Sequence, residues 1–89
     1  MNNRERAELL IRRLNALTLG DKVDVEWNTP RAFMLESYQP GTRRIYQVCR
    51  NSSEGSGQST VFSGTAPEVC TYVRAMLDGF MLGRENRNV

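Results

Sequence analysis

The chain has no histidine, which removes the commonest general base near neutral pH and the commonest nitrogen ligand for metals. Its two cysteines, Cys49 and Cys70, stand far apart and form no CxxC pair, so a zinc site would have to be completed by carboxylates. No metal and no cofactor is expected, and without a catalytic set the chain reads as a non-enzyme. Lysine is almost missing too: of 12 basic residues only Lys22 is not arginine, a bias that GC-rich coding explains without bidentate contacts. No apolar run approaches the roughly 18 residues of a membrane span, and the mean hydropathy is -0.52, so no membrane partner is expected. The polar start, Met1 to Glu8, lacks the apolar core of a secretory signal; reduced thiols and a cytoplasmic location follow as expectations.

What is present describes an ordinary globular domain. The 89 residues are 39% hydrophobic and 25% charged, which suits one domain, placed at residues 1–84 with a flexible tail at 85–89. A chain this short buries only about 60 to 65% of its unfolded surface, so a second copy or another partner would add stability, and a homodimer is one expected assembly. Twelve basic against ten acidic residues leave a net charge of +2, far from the concentrated field of a dedicated nucleic-acid binder.

Periodicity predicts the elements. Asn2 followed by Glu5 has capping-box spacing, and Ala7, Leu10, Ile11, Leu14 and Leu17 recur at helical intervals, giving a first helix over about 3–19 closed by Gly20. Lys22 to Trp27 alternates strictly and reads as a strand with Val23, Val25 and Trp27 inward. A second strand is expected over 31–38 with Phe33 and Leu35 inward, then a type II turn at Gln39-Pro40-Gly41-Thr42. A third strand over 43–50 places Tyr46 and Val48 inward; the opposite register would bury Gln47. After the glycine-rich hairpin loop 51–57, a fourth strand over 58–63 turns Phe62 and Thr60 inward. Thr65-Ala66-Pro67-Glu68 then starts a second helix, with a stripe of Val69, Tyr72, Val73, Met76, Leu77 and Phe80, closed by Gly83. The expected fold is α+β, in the order α-β-β-β-β-α: a four-stranded antiparallel meander with both helices packed on one face.

Such a fold leaves the other sheet face open. Met34, Tyr38, Ile45, Cys49 and Val61 would share it with Asp24, Glu26, Glu36 and Arg43, a mixture of apolar and charged groups that suits protein binding. Glu26, Met34, Glu36, Tyr38 and Ile45 are therefore the candidate protein-binding residues. The alternative is a nucleic-acid-binding module using Arg43, Arg44, Tyr46 and Arg50, because arginine beside an aromatic ring binds phosphate and stacks bases.

Two resemblances bear on these candidates. The α-β-β-β-α portion resembles the double-stranded-RNA-binding domain in element order, but that family begins its second helix with a basic cluster, whereas the matching turn here, Thr65 to Glu68, is acidic. The functional residues of that family do not carry over. The stretch Tyr46-Gln47-Val48, Thr60 to Thr65, Glu68-Val69 and Met76-Leu77-Asp78-Gly79 resembles small uncharacterised proteins of phages and mobile elements. That resemblance implies a stoichiometric inhibitor or adaptor of the anti-CRISPR or other anti-defence type, docking on a host protein or nucleoprotein in the host cytoplasm. The expected function is thus non-catalytic binding, with nucleic-acid binding as the alternative.

Overall fold

The structure is a computed structural model that describes the backbone of residues 1–87 and the side chains of residues 1–83. Its elements are α1 (Asn3–Leu19), β1 (Phe33–Tyr38), β2 (Ile45–Asn51), β3 (Gln58–Gly64) and α2 (Ala66–Arg87). The strands form one antiparallel sheet in the order β1-β2-β3. The sheet therefore has three strands, and the four-stranded meander expected from the alternation of residues 22–27 is not formed.

Local rules explain both helix starts. Asn2 caps α1 by accepting the Glu5 N–H at 2.8 Å, and Gly20 ends it at φ 102°, where a side chain would be strained. Ahead of α2, the Thr65 N–H and hydroxyl both donate to the Glu68 carboxylate, at 3.0 and 2.7 Å. The helix then passes through Gly83, the expected stop, and continues to Arg87. Gly83 keeps a φ that any residue can adopt, and glycine costs an exposed helix only about 1 kcal/mol. Of the expected tail, residues 88 and 89 lie outside the described residues.

Both helices cover the same sheet face and run parallel, Asn3 lying beside Cys70 at one end and Leu17 beside Met81 at the other. Ala7, Leu10, Ile11 and Leu14 of α1 meet Phe33, Tyr46 and Val48 of the sheet and Val69 and Val73 of α2 in one core. Phe62 extends it by stacking on Tyr72, with ring centroids 4.3 Å apart. A bulge beside Val48 and Cys49 shifts β3 by one residue, so Phe62 faces Val48 inward while Thr60 falls opposite Cys49 on the outer face, against the expected inward placement.

The expected first strand fails for a physical reason. Val23, Val25 and Trp27, meant for a buried face, are 42%, 39% and 76% exposed. Two buried asparagines hold the connection 20–32 in another path. The Asn15 amide donates to the Phe33 carbonyl at 2.9 Å and accepts the Phe33 N–H at 2.7 Å, occupying the edge of β1 where a neighbouring strand would start. Asn51 donates to the carbonyls of Trp27 and Thr29 at 3.0 and 2.8 Å, drawing the end of the segment toward the β2–β3 hairpin. A tight turn completes the diversion, with Glu26 N–H on the Thr29 hydroxyl at 2.8 Å and Thr29 N–H on the Glu26 carbonyl at 3.1 Å. The type II turn at Pro40-Gly41 is also absent: the positive-φ glycines are Gly20 and Gly55, and the chain crosses from β1 to β2 in a wider loop.

Replacing Asn15 with alanine leaves both Phe33 backbone groups buried without their partner. The expected loss is about 2 to 4 kcal/mol, read as a lower urea midpoint with an unchanged slope.

Candidate functional site

The uncovered side of the sheet is built by strand alternation. Phe33 and Leu35 turn toward the helices, so Met34, Glu36 and Tyr38 of β1 turn outward. Their partners across β2 are Cys49, Gln47 and Ile45 respectively, which places four of the five candidate protein-binding residues on one surface. Tyr38 is 45% exposed, while Met34 and Ile45 are half-buried. The fifth candidate, Glu26, stands in the turn that precedes β1 and not in the sheet, as does Asp24 in the extended stretch before it.

Trp27 joins this surface, although the alternation of 22–27 assigns it to the core. Held by Asn51 through its carbonyl, it lines a recess with Met34, Glu36 and the hairpin residues Gly55 to Gln58. The hairpin comes close enough that only glycine fits at position 55: φ is 79°, and a Cβ there would collide with the Asn28 carbonyl oxygen. Gln58 completes the joint by donating to the side-chain oxygen Oδ1 of Asn51 at 3.1 Å. No local signal marks Trp27 as a surface residue; the cue lies in Asn51, whose amide donates to carbonyls more than twenty positions away.

Cys49 lies on the same face but is 3% exposed, covered by its neighbours on β1 and β3. Burial pushes its thiol above the ordinary value, the Glu36 carboxylate adds to that, and a hydrogen bond with Thr60 partly opposes it. A raised pKa makes a poor nucleophile. Among the described residues no group of three or more His, Cys, Asp or Glu side chains is placed to hold a metal ion.

The residues of the nucleic-acid alternative are not brought together. Tyr46 is 8% exposed on the helix side of the sheet, in the core, where its ring cannot meet a base. Arg50 folds over the Phe33 ring at 4.6 Å and donates to the Arg31 carbonyl at 3.1 Å, at the opposite end of β2 from Arg43 and Arg44. That contact fastens Arg31, whose φ of 64° is unusual for a residue with a side chain. Arg44 reaches Ser37 Oγ at 3.1 Å, and Arg43 lies close enough to the Glu68 carboxylate to favour its charge.

The order α-β-β-β-α is that of the double-stranded-RNA-binding domain, yet its second helix opens here on the Thr65–Glu68 pair. No protein-family model matches the chain, and neither a curated protein nor a solved structure gives a significant match. No helix is long and apolar enough to cross a membrane among the described residues.

The Glu68 carboxylate is held below its ordinary value of 4.5, chiefly by the Thr65 hydroxyl, then by the Thr65 N–H, with Arg43 assisting. Because the folded-state value is the lower one, this stabilisation is complete above the unfolded-state value and is lost as pH falls through the folded-state value. Acid titration of helicity should therefore show a component that Glu68→Gln removes, with the two proteins differing above pH 5 and converging in stronger acid.

Proposed function

We propose that this chain is a non-catalytic binding protein that docks on a host protein or nucleoprotein through the open face of its sheet, blocking or redirecting that partner. A small inhibitor or adaptor of the kind encoded by phages and mobile elements fits this reading. One observation carries it: the side of the sheet opposite the helices has Met34, Tyr38 and Ile45 beside Glu36 and Gln47, with Trp27 76% exposed at its margin. Large aromatic side chains at the surface are the groups that most often supply binding energy at protein interfaces.

The experiment is affinity capture from host lysate followed by mass spectrometry, run in parallel on the wild type, on Trp27→Ala/Tyr38→Ala and on Thr71→Ala, an exposed change on α2. A stoichiometric species retained by wild type and Thr71→Ala and lost from the double variant is the expected result. Recovery of the same species by all three proteins, or of none by any, overturns the proposal; release by nuclease treatment would mark a nucleoprotein.

A further inference from the structure

Strand β1 is an outer strand, and the direction of its hydrogen bonds decides which groups are left over. Phe33 gives both its N–H and its C=O to the Asn15 side chain, while the preceding Ala32 carbonyl accepts the Asn51 N–H at 2.9 Å. Backbone groups alternate in direction along a strand, so Met34, Glu36 and Tyr38 bond to β2 and Leu35 and Ser37 point theirs away from the sheet. Among the described residues no backbone group outside the sheet pairs with Leu35 or Ser37. Such an edge is a template for another strand.

Its surroundings restrict what that strand can be. On the helix side a groove of about 520 Å³ has apolar walls that include Ile11, Val25 and Leu35, and its charged lining is Glu8, Asp21 and Asp24 against Arg12 alone. On the outer side Trp27 and Glu36 line the neighbouring recess, an indole and a carboxylate that together favour a cation. The chain as a whole is positive, at +2, yet the groove beside Leu35 is acidic, and Arg44 lies only at the far end of the edge, on Ser37 Oγ at 3.1 Å. Among the described residues the one side-chain ion pair is Arg4–Glu8, so Asp21, Asp24 and Glu36 keep their charge uncompensated by contact.

We propose that the free edge of β1 receives an extended, basic segment of the partner protein as an added strand. Its apolar residues lie against Ile11, Val25 and Leu35 in the groove, where Asp21 and Asp24 add a negative field, and its arginines or lysines meet Trp27 and Glu36 on the other side. The proposal rests on the protein-binding reading above and gives that partner its chemistry. Asn15 sets the register, because the position beside Phe33 is already taken; pairing starts at Leu35 and runs through Ser37.

Trp27, the chain's one tryptophan, reports on the test. The protein is titrated with an octapeptide alternating valine and arginine, with its valine–glutamate counterpart, and with the valine–arginine peptide N-methylated on alternate residues. The Ser37→Pro variant removes an edge-facing N–H and leaves the β2 ladder intact. The expected result is a saturable change in Trp27 emission with the valine–arginine peptide, weakened at least about tenfold by Ser37→Pro or by N-methylation and several-fold by Glu36→Gln. The glutamate peptide should not bind. Equal binding of both charge types, affinity indifferent to N-methylation, or no emission change at millimolar peptide overturns the proposal, and the N-methylated peptide decides even where Ser37→Pro does not fold. Capture of a lysate partner that depends on Trp27 and Tyr38 but not on Ser37 would remove the edge assignment and leave the face reading standing.

Discussion

The side-chain amide of Asn15 bonds both backbone groups of Phe33, and most of the architecture depends on that pair. It is the equivalent of one strand residue, supplied by a helix. By satisfying the start of β1 it ties α1 to the edge of the sheet, and by fixing Phe33 inward it determines that Met34, Glu36 and Tyr38 face out. The Arg50 guanidinium covers the Phe33 ring from the end of the sheet, so the residue is held by its backbone and its side chain at once. An apolar replacement for Asn15 could fill the volume but would leave two buried polar groups unpaired.

Asn51 is the matching device at the other end of the connection. It lies buried, with its amide donors on Trp27 and Thr29, its carbonyl oxygen on Gln58 and its own N–H on Ala32. These bonds draw residues 27–30 onto the β2–β3 hairpin and force the close approach that only Gly55 allows. A surface tryptophan, a half-open groove and an unpaired strand edge are the joint result of two asparagines satisfied in the core.

How much of this was legible in the sequence depended on the range of the forces. The helices were, because capping at Asn2 and Thr65 and the spacing of Ala7 to Leu14 and Val69 to Val73 act within a few residues. The inward and outward sets of 33–38 and 45–48 were legible too, since alternation alone assigns them, and with them Met34, Glu36, Tyr38 and Ile45 of the open face. Lys22 to Trp27 misled because an alternating segment has the same pattern whether it joins a sheet or runs along its margin. What separates the two is whether the edge beside it is free, and Asn15 settles that from another element. The arginine and tyrosine cluster was joined by adjacency in sequence, although the same alternation already turned Tyr46 inward; the strand then sets Arg43 and Arg44 at one end of β2 and Arg50 at the other.

The most direct measurement of this account is residue-resolved hydrogen exchange of the free protein. Two buried asparagines keep residues 22–27 off the sheet and leave β1 open beyond Phe33, so the Phe33 amide should be protected while those of Val25, Leu35 and Ser37 exchange rapidly. Joint protection of Val25, Leu35 and Ser37 would mean that a fourth strand is paired after all, and would contradict it.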